Sequence, residues 1–64
     1  EVEVPADLAA ALAADPTAAA AYERLAFSHR KEYAVWVSAA VQDRTRQRRV
    51  EKTLEMLREG RTRG

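Results

Sequence analysis

What most limits this chain is where a helix can continue. Pro16 cannot extend the helix that "VPADLAAAL" begins, and Asp15 just before it can cap a new one. Pro5 falls where proline is favoured, at the first helical position, and Asp7 in the first turn faces the positive end of the dipole. Leu8 and Leu12 then share one face of a first helix over about residues 5–14. A second, over about 16–26, carries Ala18, Tyr22 and Leu25 on one stripe.

Ser28 is a candidate N-cap for a third helix, over about 28–41. Tyr33, Trp36, Val37, Ala40 and Val41 follow the spacing of an amphipathic stripe. A fourth helix, over about 43–59, takes Asp43 or Gln42 as its cap and presents Val50, Thr53, Leu54 and Leu57 on its apolar side. Gly60 stops it, and Arg61–Gly64 should fray. No segment alternates like a strand. Linkers of one to three residues force neighbours to pack closely, so the expectation is an all-α, compact, bundle-like single domain of about four short helices over 1–64.

The core of such a domain is small. Fourteen of the 30 apolar residues are alanine, which leaves few large side chains to bury. Leu8, Leu12, Tyr22, Leu25, Tyr33, Trp36, Val37, Val50, Leu54 and Leu57 are the predicted interior. One core of this size contributes about 3–5 kcal/mol net. The lack of cysteine excludes disulfides and thiolate metal sites, and no apolar run approaches a membrane span. The start at Glu1 rather than Met suggests an excised or C-terminal segment of a longer chain. Arginine outnumbers lysine nine to two and alanine is abundant, a balance typical of GC-rich bacterial genomes; a bacterial cytoplasmic location is the expectation.

Net charge of +1 hides a division: residues 1–27 sum to −4 and residues 28–64 to +5. Halves of one domain can neutralise each other, so the asymmetry is weak evidence for nucleic acid. Arg30 and Lys31 sit early in the third helix, where the dipole disfavours cations. Each could be relieved by Glu32 or an acid of the first 27 residues, and at least one such pair is predicted. Arg44, Arg48 and Lys52 form one ridge of the fourth helix, with Arg49 beside it and Glu51, Glu55 and Glu59 in pairing range of Arg48, Lys52 and Arg58. Arg46 falls on the apolar meridian and is predicted to stack on Trp36 or pair with Glu32. Arg30, Lys31, Arg44, Arg48, Arg49 and Lys52 are thus the candidate partner-binding residues.

Catalysis finds no foothold. Ser28 and His29 are adjacent on a helix and diverge by about 100°, with no third group to orient the imidazole. The only glycines, at 60 and 64, exclude a phosphate-cradling loop. Scattered carboxylates form no metal-ligand cluster, so no catalytic residue, metal or cofactor is expected. A helix-turn-helix reading could use the tight junction at Phe27–Ser28, but the third helix's first turn lacks the Asn or Gln that commonly read bases.

The run "SHRKEYAVWVSAAVQDRTRQRRVEKTLEMLREGR" resembles the C-terminal segment of the bacteriocin-protection, YdeI/OmpD-associated family. Ser28, His29, Arg30, Glu32, Tyr33, Trp36, Thr45, Arg46 and Arg49 fall on the family pattern, and "VPADLAAAL" is similar to its lead-in. The match spans residues 4–61; it departs at Val41, where the family usually has lysine, and at "QDR", which replaces a commonly proline-containing turn. The resemblance implies no catalytic residue, cofactor or ligand. It implies a tail that in many members follows a small β-rich domain, and a link to bacteriocin resistance and to an outer-membrane porin. Together these readings favour a non-enzymatic helical interaction domain binding an unidentified protein in bacteriocin or envelope stress tolerance. A nucleic-acid-binding module using the Arg/Lys face is the alternative, and a stabilising appendage for a neighbouring domain the third. Oligomeric state is left open.

Overall fold

Proline and aspartate break the chain where their chemistry demands. In the computed structural model, which describes residues 3–60, four helices follow one another: α1 (Ala6–Ala13), α2 (Pro16–Arg24), α3 (Phe27–Ser38) and α4 (Asp43–Arg58). No strand occurs among the described residues. Pro16 opens α2, and the Asp15 carboxylate accepts the Ala18 N–H at 3.1 Å, the N-cap bond its position predicted. Pro5 stands one residue before the helix it starts, as the N-cap of α1. Gly60 adopts φ 75° just past the last turn of α4, a left-handed stop that a side chain would disfavour. Val2 of the apolar set and the predicted fraying of Arg61–Gly64 lie outside the described residues.

α4 is the spine, and α1, α2 and α3 each pack against it. Leu8 and Leu12 from α1, Ala18 and Tyr22 from α2, Tyr33 and Val37 from α3, and Val50, Leu54 and Leu57 from α4 make one core. Thr53 is also fully buried; its hydroxyl donates to the Arg49 carbonyl at 2.8 Å, so no polar group is stranded there. Burial pushes the Tyr22 phenol above its usual pKa, and the protonated hydroxyl donates to the Arg30 carbonyl at 2.9 Å, fastening α2 to α3.

Several predicted details differ. Leu25 leaves the helix in extended conformation as the α2 C-cap and is only half-buried against the core. That extended turn continues through Ala26, so α3 begins at Phe27 with Ala26 as N-cap and no side-chain cap bond. Ser28 is therefore inside the first turn rather than capping it. Trp36 lies at the core's edge, half-buried. α3 ends at Ser38, so Val41 falls in the four-residue link to α4 and is 93% exposed. Gln42, not Asp43, occupies the N-cap of α4, and its side chain makes no cap bond.

Candidate functional site

Three arginines of α4 tie the bundle together. Arg46 grips Asp7 of α1 through two bonds, Nε to Oδ2 and Nη2 to Oδ1, both 3.0 Å. Its Nη1 also donates to the Ala40 carbonyl at 3.2 Å and to the Ser38 carbonyl at 3.4 Å. Ser38 closes α3 and Ala40 lies in the link that follows, so neither carbonyl accepts from an onward helical turn and Arg46 caps both. Arg58 donates from Nε to Asp15 Oδ2 at 2.7 Å, so one carboxylate caps α2 with one oxygen and holds α4 with the other. Arg49 sits 5.2 Å over the Trp36 ring and donates to the Trp36 carbonyl at 2.7 Å.

These contacts correct two expectations. Stacking on Trp36 belongs to Arg49, one turn along from the Arg46 predicted to do it, and Arg46 pairs with Asp7 rather than Glu32. The crossing angle of α4 over α3 decides which arginine arrives at the indole, and a helical wheel does not contain it. Neither Arg30 nor Lys31 forms an ion pair among the described residues. With α3 starting at Phe27, both bases stand beyond the first three N–H groups, where the dipole's field has weakened. Arg30 is half-buried, and its Nε is enclosed without a hydrogen-bond partner among the described residues.

The six candidate binding residues are therefore not gathered as one unpaired face. Arg49 is committed to Trp36, and Lys52 to Glu55 at 3.2 Å, the predicted pairing along α4. Arg44 and Arg48 are exposed on α4, and Lys31 is exposed on α3. Acidic Asp7 and Asp15 of the negative half meet Arg46 and Arg58 of the positive half, which is where much of the charge asymmetry goes.

A surface that sequence reasoning missed lies on the outer side of α3. Phe27, Lys31, Val35 and Ala39 recur every four residues and line two adjoining shallow grooves. Ser28, Glu32 and Trp36 border one, Ala34 and Ser38 the other. Phe27 is 48% and Val35 56% exposed, although both are large and apolar. The signal was present: α3 carries apolar residues on both sides rather than one stripe, the pattern of a helix with two faces to cover. Among the described residues, no three His, Cys, Asp or Glu side chains converge as a metal site, and no helix is long and apolar enough to cross a membrane.

Acid should loosen the inter-helix clamps. The Arg46 hydrogen bonds hold the Asp7 carboxyl below its ordinary value; the Ala18 N–H and then Arg58 do the same for Asp15. Both pKa values are lower folded than unfolded, so their stabilisation is complete above the unfolded value of about 4 and lost as pH falls through the folded values. Melting temperature should stay flat above about pH 5 and fall below about pH 4. An Asp7→Asn/Asp15→Asn variant, whose asparagine still caps α2, should show a shallower acid fall in circular dichroism melts; an unchanged slope would refute the clamps' role.

The fold and surface define a small helical domain with one core, arginine-tied helices and an uncovered apolar helix face. The chain belongs to the family described as Bacteriocin-protection, YdeI or OmpD-Associated, whose model matches residues 1–60. The resemblance carried by "SHRKEY" and the run after it is thereby borne out. No curated protein and no solved structure was found to match the chain. Several residues of the resembling pattern work inside the fold: Tyr33 in the core, Arg30 accepting Tyr22, Arg46 on Asp7, and Arg49 on Trp36.

Proposed function

We propose that the chain is a non-enzymatic interaction domain that binds another protein, in bacteriocin or envelope stress tolerance, in the bacterial cytoplasm. The observation that carries this reading is the outer face of α3, where Phe27 and Val35 stand in water beside Lys31 and Glu32. Apolar side chains grouped with a charged border suit a protein contact more than a nucleic-acid one. The stress role rests on the family's description alone.

A second reading, nucleic-acid binding, draws on Arg44 and Arg48, which are exposed without an ion pair among the described residues. Glu51, Glu55 and Asp43 share α4 with them and weaken a phosphate-binding field.

Affinity capture from bacterial lysate, identification of the retained protein, and titration of that purified protein test the two together. Wild type should bind it, and Val35→Asp should lose at least about tenfold in affinity by burying a charge in the contact. Binding of labelled duplex or RNA that falls steeply with salt and is lost in Arg44→Glu/Arg48→Glu would replace this reading with the second.

A further inference from the structure

We propose that the chain covers part of the α3 face itself: Val2 docks in the groove bordered by Glu3, and Glu1 pairs with Lys31 at its rim. This goes beyond the interaction-domain reading and does not depend on it. One of the two grooves receives an occupant from the same chain, and the other is left to a partner.

The two grooves differ in what walls them. Every residue lining the second comes from α3 or from its C-cap, Ala39. The first has one wall from elsewhere: Glu3, the first described residue, stands with Phe27, Lys31, Ala34 and Val35. The chain thus enters the fold at this groove. α1 packs on α2 and α4 far more than on α3, so no helix fills the space beside Glu3. Val2 is within reach of it, because adjacent Cα atoms lie about 3.8 Å apart.

Local chemistry aims Val2 inward. Val4 precedes Pro5, which favours extended backbone for it, and Pro5 is itself extended at φ −56° and ψ 145°. In an extended chain residues i and i+2 face the same way. Val4 is packed against the core and Glu3 is exposed. The short run "EVEV" continues that alternation, with its acids outward and Val2 on the side of Val4. The groove offers Val2 apolar surface: Ala34 is its buried floor, and Phe27 and Val35 are its partly exposed walls. Lys31, exposed on the same helix, forms no ion pair among the described residues, so Glu3 does not hold it. Its stem can lie along the groove while the ammonium reaches the next outward carboxylate, that of Glu1.

Nuclear Overhauser spectroscopy tests the contact directly. Phe27 is the sole phenylalanine, so its ring protons are unambiguous. The Val2 methyls should give cross-peaks to the Phe27 ring and to the Val35 methyls. Val2→Ser should stay folded by circular dichroism and lower the melting temperature by about 4–8 °C, the shift that one half-buried apolar group yields in a domain this small. In a Val35→Ser background the same change should cost less than about half as much. Glu1→Lys should weaken the cross-peaks, and Glu1→Lys/Lys31→Glu should restore them. Absence of cross-peaks from Val2 to both residues, or a Val2→Ser loss that Val35→Ser leaves unchanged, would overturn the docking. A charge exchange without rescue overturns the Glu1 pairing. If the docking fails while Val35→Asp still loses the purified partner protein, the interaction-domain reading stands. If the cross-peaks appear and Val35→Asp binds that protein like wild type, the docking stands and that reading fails.

Discussion

Leu8→Ala should leave this domain mostly unfolded at 25 °C. Leu8 is fully buried where α1 meets the rest of the core, and its truncation removes apolar contact while opening a cavity. Such replacements cost about 2–5 kcal/mol, more where neighbours cannot collapse into the space. The core has little spare volume with which to refill it: Ala18 within it and Ala11 and Ala19 at its border have no length to reach inward. A domain of this size has only about 3–5 kcal/mol in total, so the loss is comparable with its whole stability. Far-ultraviolet circular dichroism and urea titration read the result directly. A folded variant with a melting temperature within about 5 °C of wild type would contradict the single-core account, since about 1 kcal/mol already moves a domain this small by 4–8 °C.

Arg46→Met should destabilise the fold by about 1–2 kcal/mol, more than Asp7→Asn does. The guanidinium makes two bonds to Asp7 and two to carbonyls at the end of α3, so its removal frees groups on two helices at once. Bonds to charged groups are worth about 1.5–3 kcal/mol when dry. Here the Asp7 side chain is 41% exposed, and solvent screening brings the ion pair itself down to about 0.5–1 kcal/mol. The remainder belongs to the uncapped carbonyls and to methylenes lying along the core edge. A double-mutant cycle on Arg46 and Asp7 separates these parts, with the carbonyl share surviving in the Asp7→Asn background. Arg46→Lys should recover little, because one ammonium cannot span the carboxylate and both carbonyls. Equal losses for the two single variants would mean that Arg46 does no capping.

Local chemistry made much of the fold legible. Asp15 followed by Pro16 and the glycine at position 60 mark helix limits through backbone constraints that operate without any neighbour. The stripes of Tyr33–Val37 and Val50–Leu54–Leu57 declared the buried faces, because a helix repeats every 3.6 residues wherever it sits. The start and end of α3 were not legible. Its start follows an extended Leu25 that packs on the core, and its end meets a guanidinium from α4, and both are contacts between elements distant in sequence.

For function the division is the same. Sequence alone determined a four-helix, alanine-rich chain of this family, with more arginine than its acids balance in the second half. Only the tertiary structure decided which bases were spent inside. Arg46 and Arg58 went to Asp7 and Asp15, Arg49 went to Trp36, and the uncommitted surface moved to Phe27, Lys31 and Val35 on α3. A helical period fixes the direction in which a side chain leaves its own axis, but the crossing of two axes determines what it meets.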